Sequence, residues 1–259
     1  MTHLATYRAG DPTAPAVVLS HGVSDSALTW VDLIPVLAQD YYVIAVDHLG
    51  HGLSPRLDDT SAPFESALAA FLEVLDSVHA QQGRPATVLG HSMGGALAAS
   101  ASIARPELVR TLVLEDPAFL DDPEKQGFID RAPAQLDAIR DWVADPADGL
   151  ARNAAARPTW TARDHTGWIT AKVCQDPGFI GTGIVTFAQP WEELVGQLDV
   201  PTLLLTSDTP DVLITPAKVA QIANPHVRVV TIPGATHALR RDQPEAFQRT
   251  VLPFLETHA

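Results

Sequence analysis

One serine in this sequence lies between two glycines at a fixed spacing, within the stretch TVLGHSMGGALAASASIA. Gly90 precedes Ser92 by two positions and Gly94 follows it by two, which gives the pattern G-x-S-x-G. An apolar run comes before the serine and a run of small residues comes after it, so the pattern predicts a tight turn from a strand to a helix. The backbone approaches such a turn closely on both sides, and only residues without a Cβ fit there. We therefore predict that Ser92 is a nucleophile.

A serine hydroxyl is a weak nucleophile, so it needs a general base, a group that orients the base, and donors for the oxyanion. His237, in the stretch IPGATHAL, is the candidate base because it directly follows the last predicted strand. That loop lies at the carboxyl edge of the sheet, on the same edge as the turn that carries Ser92. The predicted oxyanion donors are the backbone N–H groups of Val23, in the loop LSHGVSD, and of Met93.

The elements that position these residues are predicted by short apolar runs along the chain. The runs are AVVLSHG, YYVIAVDHLGHG, ATVLGHS, RTLVLEDP, PTLLLTSD and VRVVTIPGATH. They are almost continuously apolar, which is expected of strands in a sheet that is covered on both faces. Helical spacing between them, as in Phe64–His79 and Ala96–Ala104, predicts an α/β fold with a mostly parallel central sheet flanked by helices. The C-terminal stretch RDQPEAFQRTVLPFLETH predicts a closing helix, with Pro244 near its first turn.

One long segment interrupts this alternation. We predict that residues 118–198 form a helical cap, inserted between the two parts of the core domain at 1–117 and 199–259. Loops and caps over a fixed sheet usually carry substrate specificity. The candidate pocket residues are aromatic: Trp30, Trp160 and Trp191. An apolar pocket of this kind predicts a small, neutral, hydrophobic ester or lactone as substrate.

The composition limits the classes of partner. The chain has 17 basic and 31 acidic residues and a formal net charge of -14, which disfavours binding to nucleic acid or to an anionic membrane. A single cysteine, Cys174, excludes an intrachain disulfide and a cysteine metal cluster. No signal peptide and no long apolar run is evident, so we expect a cytoplasmic protein. We expect no metal and no cofactor, and we leave homodimer formation open.

Four motifs in chain order carry a resemblance to a known family. SHGVSDSALTW, VDHLGHGLS, GHSMGG and PGATHAL together resemble the α/β-hydrolase fold superfamily, over essentially the whole chain except the cap. The resemblance implies a triad in the order serine, acid, histidine, in a cofactor-independent serine esterase or lactonase with a helical cap. Leu49 stands where relatives usually carry arginine, which predicts altered packing of its loop.

The resemblance leaves three candidates for the acid of the triad. The usual position follows the run PTLLL, where Asp208 and Asp211 lie, but neither has the common acid-x-x-x-Pro spacing to Pro216. A second position, directly after TLVLE, is occupied by Asp116, whereas Glu115 is expected to point to the opposite side of the strand. The similarity to serine esterases that act on lactones, including macrolide and zearalenone-type hydrolases, favours Asp116.

The predicted function is hydrolysis of a carboxylic ester or lactone of a hydrophobic substrate through an acyl-enzyme on Ser92. Related enzymes that hydrolyse epoxides or remove halogens carry aspartate in place of this serine. Carbon–carbon bond hydrolases, cofactor-free haloperoxidases and thioesterases keep the same triad and remain alternatives. A ligand-binding, receptor-like member of the fold is a further alternative, and turnover of a p-nitrophenyl ester would separate it from an enzyme.

Overall fold

The computed structural model of the protein describes residues 3–259. Its strands are β1 (Thr6–Ala9), β2 (Ala16–Ser20), β3 (Tyr42–Val46), β4 (Ala86–His91), β5 (Val109–Glu115), β6 (Thr202–Thr206) and β7 (Val227–Thr231). They form one sheet in the order β1-β3-β2-β4-β5-β6-β7. The pair β1–β3 is antiparallel and the other pairs are parallel. The predicted fold class, a mostly parallel sheet flanked by helices, is confirmed.

The central strands are buried on both faces, which explains their continuous apolar sequence. Every residue of β2, β3, β4 and β6 is buried. Successive side chains of a strand point to opposite faces of the sheet. Val18 accordingly packs in the core on one face, whereas Val17 and Leu19 pack in the core on the other. Edge strand β1, by contrast, is half exposed and carries no apolar run, and the sequence analysis did not identify it.

Helices cover both faces of the sheet. They are α1 (Ile34–Leu37), α2 (Pro63–Gln82), α3 (Met93–Ala104), α4 (Asp122–Ala144), α5 (Pro146–Ala156), α6 (Ala162–Val173), α7 (Pro177–Ile180), α8 (Trp191–Gly196), α9 (Pro216–Val219), α10 (Leu239–Asp242) and α11 (Pro244–His258). Helices α2 and α3 contribute to the core that contains Val18, and α1 and α11 to the opposite core. The closing helix begins at Pro244, as predicted. Within residues 3–259, the helices are too short or too polar to cross a membrane.

The segment between β5 and β6 is helical and contains α4 to α8. This is where the sequence predicts a cap, although the exact boundaries at 118 and 198 stay a prediction. Helix α6 packs directly on the short 3-10 helix Ala27–Trp30, which follows β2. At this contact a Cβ on Gly167 would lie 2.6 Å from the carbonyl oxygen of Leu28, so the two backbones touch. The helical segment is therefore seated on the loop that follows β2.

Candidate active site

Ser92 occupies the turn between β4 and α3 in a conformation that few residues adopt. Its φ is 53° and its ψ is -120°. The glycines around it are required by close approach of the backbone. A Cβ on Gly94 would lie 2.1 Å from the carbonyl oxygen of Ser20, and one on Gly90 would lie 2.4 Å from that of Gly94. The G-x-S-x-G pattern therefore marks a crowded strand-to-helix turn, as the sequence predicts.

Backbone strain in this protein is concentrated around Ser92. Within residues 3–259, the non-glycine residues with positive φ are Ser24, at 59°, Ser92, at 53°, and Asp116, at 39°. Such conformations cost roughly 1–3 kcal/mol each and persist only where the surrounding structure enforces them. Each of the three follows the carboxyl end of a parallel strand, namely β2, β4 and β5. Two of the three are predicted catalytic residues, and the third is the neighbour of Val23.

Asp116 is the candidate acid that the structure places against the histidine. Its fully buried carboxylate lies 2.5 Å from Nδ1 of His237. It also accepts hydrogen bonds from the backbone N–H groups of Leu213 and Ile214, each at 2.9 Å. A carboxylate oxygen accepts, so the contact with His237 is a hydrogen bond donated by Nδ1–H. The free Nε2 of that tautomer is the atom that can accept a proton.

The two alternative acids have other surroundings. Asp208 is exposed and accepts a hydrogen bond from the backbone N–H of Gly234 at 2.8 Å. Asp211 is exposed on the loop that leads to Leu213. This loop still contributes to the site, because its backbone binds Asp116. The later loop therefore supplies amide donors to an acid from the earlier strand.

His237 lies on the loop between β7 and α10, with about a third of its side chain (32%) exposed. His91 packs against it, with ring centroids 4.7 Å apart, and its Nε2–H donates to the carbonyl oxygen of His237 at 3.0 Å. Burial holds the pKa of His91 well below its usual value, so this ring is neutral. In the described part of the chain, Ser92 Oγ makes no hydrogen bond with His237, and such contacts often tighten only when substrate binds. Sequence reasoning missed His91, although it directly precedes the serine.

The loop after β2 passes alongside Ser92, where the oxyanion donors are predicted. A Cβ on Gly22 would lie 3.0 Å from Cβ of Ser92, so only glycine fits between the loop and the nucleophile. Val23 is the next residue, and Met93 is the first residue of α3. Within residues 3–259, neither of their backbone N–H groups donates to a protein acceptor. Both groups are thus free to bind an oxyanion, and their role stays a prediction.

Three buried histidines support this loop. His21 Nδ1–H donates to the carbonyl oxygen of Gly22 at 2.8 Å, and His51 Nε2 accepts from the backbone N–H of Ser24 at 3.2 Å. The ring of His48 packs against that of His21 in a tilted arrangement, with centroids 4.7 Å apart, and its backbone N–H donates to Nε2 of His21. Burial lowers the pKa of His21 to about 4 and that of His51 to about 3. The loop therefore rests on neutral imidazole rings at pH 7.

A network of buried charges lies beneath the site. Glu115, which points away from Asp116 as expected, lies 2.6 Å from a guanidinium nitrogen of Arg240 and accepts from its backbone N–H at 2.9 Å. Asp25 lies 2.6 Å from Arg241 and 3.8 Å from Nζ of Lys172. These are buried pairs, and removal of one partner leaves an uncompensated charge. The network was not predicted, because no local sequence pattern shows which distant charges pair.

The three candidate pocket tryptophans make packing contacts in the structure, and their role in a pocket stays a prediction. Trp30 is fully buried in a core, and the Arg240 guanidinium lies 3.8 Å from the centroid of its ring. Trp160 donates through Nε1–H to Asp242 at 2.7 Å. Trp191 is buried in the other core and borders a surface cleft that does not include Ser92. Their large apolar area is used for packing, a role that aromatic composition alone does not distinguish from a pocket.

Leu49, which replaces an expected arginine, is buried in the core on the α2 and α3 face. Its carbonyl oxygen accepts a hydrogen bond from Nδ1–H of His51 at 2.9 Å. The loop is thus fixed by apolar packing and an imidazole.

Within residues 3–259, no group of three or more acidic, histidine or cysteine side chains is arranged to hold a metal ion.

Comparison with known proteins agrees with this fold. The model of the alpha/beta hydrolase family matches residues 17–250. A protein named as a carbamate hydrolase, RutD of Pseudomonas syringae pv. syringae, is 26% identical over 256 residues, which cover 94% of this chain and 95% of that protein. The enol-lactonase of Burkholderia xenovorans LB400 superposes with a TM-score of 0.78 at 22% identity and coverage of 98% and 97%. E-2-(acetamidomethylene)succinate hydrolase has the same TM-score of 0.78 at 18% identity, with coverage of 98% and 95%. The chain belongs to the alpha/beta hydrolase family.

Proposed function

We propose that this hydrolase cleaves carboxylic esters, lactones included, of hydrophobic substrates through an acyl-enzyme on Ser92. The observation that carries the proposal is the hydrogen bond of 2.5 Å between His237 Nδ1 and Asp116, beside a serine on a strained turn. This arrangement has a nucleophile, a base with its free Nε2, and a buried carboxylate that orients the base. The supply of free backbone N–H groups at Val23 and Met93 completes the requirements for acyl transfer.

In the proposed reaction, Ser92 Oγ attacks the carbonyl carbon while Nε2 of His237 takes the hydroxyl proton. Asp116 holds the imidazole in the required tautomer and stabilises its charged form. The N–H groups of Val23 and Met93 bind the oxyanion of the tetrahedral intermediate. His237 then gives the proton to the leaving alkoxide, which in a lactone stays attached to the acyl group. Water, activated by the same imidazole, releases the acid and restores Ser92.

The surroundings of the triad support an uncharged substrate. Two pairs of charged groups beneath the site, Glu115 with Arg240 and Asp25 with Arg241, are buried and neutralise each other. Val23, partly exposed, is an apolar side chain beside the proposed oxyanion site. An ester or a lactone has no charge at the reacting centre, so it needs no free countercharge. A relative named as a carbamate hydrolase and a similar fold in an enol-lactonase are consistent with attack on an acyl carbon.

The test is hydrolysis of a panel of short- and medium-chain p-nitrophenyl esters and of hydrophobic macrolactones, with Ser92→Ala measured in parallel. We expect turnover by the wild-type protein and a fall in kcat of roughly 10⁵- to 10⁶-fold in the variant, since the triad acts as a unit. Near-normal turnover by Ser92→Ala would refute the mechanism. Serine-dependent cleavage of a β-diketone without ester turnover would replace ester hydrolysis by carbon–carbon bond hydrolysis.

A further inference from the structure

Ser24 is the strained residue to which the proposed reaction assigns no role. Its backbone lies in the left-handed region, with φ at 59°, and it directly follows the proposed oxyanion donor Val23. Its N–H donates to Nε2 of His51 at 3.2 Å. Its carbonyl oxygen and its hydroxyl each lie 2.6 Å from Nζ of Lys172. Contacts on every polar atom of Ser24 therefore hold its unfavourable conformation.

The lysine that makes two of these contacts comes from the helical segment over the sheet. Lys172 is the penultimate residue of α6 and is buried, with its ammonium 5.4 Å from the centroid of the Trp168 ring. Gln175, just beyond α6, donates to the carbonyl oxygen of Asp25 at 3.3 Å. Together with the close contact at Gly167, these bonds fix the end of α6 on the loop after β2. The helix thus reaches the loop through polar side chains as well as through its backbone.

The burial of this ammonium is costly, which argues against a role in stability alone. Burial lowers the pKa of Lys172 to about 8, even though Asp25 acts in the opposite direction. Arg241, the main partner of Asp25, lies in the same network and lowers the pKa further. A buried charge is weak evidence for stabilisation, because a well-packed apolar side chain often serves the fold as well or better. A lysine held here at such a cost needs another explanation.

We propose that Lys172 is a positioning residue for the oxyanion site, acting through Ser24 on the backbone N–H of Val23. Val23 is covalently joined to Ser24, so a relaxation of Ser24 toward negative φ would displace Val23. The N–H of Val23, which lies in the peptide group between Gly22 and Val23, would then no longer point at the oxyanion. An oxyanion donor is effective only when it is fixed in advance at the place where charge develops. This inference rests on the proposed function, because it presupposes an oxyanion.

The inference also makes the seating of α6 a condition for catalysis. While Lys172 contacts Ser24, the helical segment is in place over the sheet and the oxyanion donor is aligned. If α6 moves away, both contacts to Ser24 are lost together. The same two hydrogen bonds thus connect the position of α6 with the geometry at the reacting carbonyl.

The experiment compares Lys172→Met, which cannot donate, with Lys172→Arg, which can, and with Lys125→Met as the matched control. Lys125 also lies in the helical segment and also donates to carbonyl oxygens, those of Ala188 and Gln189, but it does not contact the loop after β2. Rates are expressed per active site, titrated with a fluorophosphonate, so that misfolded protein does not count. The substrate is the p-nitrophenyl ester that the wild-type protein turns over fastest. The transition-state analogue is the boronic acid in which boron replaces the carbonyl carbon of that ester.

We expect Lys172→Met to lower kcat by about 10- to 100-fold with KM changed less than 3-fold, since a donor that is misaligned costs less than one that is removed. Affinity for the boronic acid should fall by the same factor as kcat/KM. Lys172→Arg should recover part of the loss, and Lys125→Met should retain wild-type kcat.

Two results would overturn the inference. One is a wild-type kcat per titrated site in Lys172→Met with only a lower melting temperature, which means that Lys172 is structural. The other is an equal loss in Lys125→Met, which means that any change in the helical segment has this effect. Both differ from failure of the proposed function, which appears as activity that survives Ser92→Ala.

Discussion

The end of β5 carries two consecutive carboxylates, Glu115 and Asp116, in opposite surroundings. Both are fully buried. Glu115 faces Arg240 and makes a buried ion pair at 2.6 Å, whereas Asp116 faces the imidazole of His237. The two carboxylates differ in their partner, because Glu115 pairs with a guanidinium and Asp116 contacts the histidine that we propose as the general base. Alternation along a strand separates the two roles by a single residue.

The same division applies at the end of β4, where His91 and Ser92 are neighbours. His91 is buried and neutral, and it holds the backbone of His237 in place. Ser92 lies on the strained turn between β4 and α3. At both strand ends, the residue before the strained position makes a supporting contact, and the strained residue is the one to which we assign a role in the proposed reaction.

The largest expected effect is a loss of activity when Asp116, but not Glu115, is changed. Asp116→Asn should lower kcat by roughly 10⁴-fold, because the amide favours the wrong tautomer of His237. The control is Asp211→Asn, at an exposed position of the alternative acid loop, and we expect its kcat to stay within about 2-fold of wild type. Steady-state kinetics on a p-nitrophenyl ester measures both. A severe loss in Asp211→Asn with mild change in Asp116→Asn would reverse the assignment of the acid.

The second prediction separates the carboxylates by stability. Glu115→Gln leaves the buried Arg240 without its main countercharge and should lower the free energy of unfolding by about 3–5 kcal/mol. Asp122→Asn, which breaks the exposed pair with Lys125, should cost less than about 1 kcal/mol. Urea unfolding measures both, and kcat per titrated site should change little in either variant. A loss of kcat in Glu115→Gln as large as in Asp116→Asn would remove the distinction between the two carboxylates.

The third prediction concerns His21, His48 and His51, the buried neutral histidines that support the loop after β2. Their pKa values are lowered in the folded protein, to about 4 in His21 and about 3 in His51, from about 6.5 when unfolded. Between these limits the unfolded chain binds protons that the native protein does not. The contribution of these neutral rings to the free energy of unfolding is complete above pH 6.5 and is lost as the pH falls toward 4. By pH 5 the loss is about 2 kcal/mol per histidine.

Urea unfolding at pH 7, 6 and 5 tests this dependence. His48→Gln removes one of the buried rings. It should reduce the slope of the unfolding free energy against pH by the amount that corresponds to about one bound proton. His226→Gln removes an exposed ring and should leave the slope unchanged. Identical slopes for wild type and His48→Gln would show that the buried rings do not determine the acid sensitivity.

Much of the site is encoded locally, and that part could be predicted from the sequence. The glycines around Ser92 and the position of His237 after the last strand follow from turn geometry and strand order. The buried pairs could not be predicted, because Glu115 and Arg240 are far apart in sequence and meet only through the fold. The same holds for Lys172, which shows no pattern of its own in α6. For Trp30, Trp160 and Trp191, the sequence could not separate packing in a core from lining a pocket, because both favour the same residue type.

The most direct test of the central claim is reaction with a fluorophosphonate, followed by peptide mapping and by the rate of labelling. The Ser92 Oγ–phosphorus bond forms as the phosphorus–fluorine bond breaks, and His237 takes the hydroxyl proton. We predict a single adduct at Ser92 and a rate constant at least about 10³-fold lower in Asp116→Asn. An adduct at another residue, or equal rates in wild type and Asp116→Asn, would contradict the assignment of Ser92, His237 and Asp116 as the reactive unit.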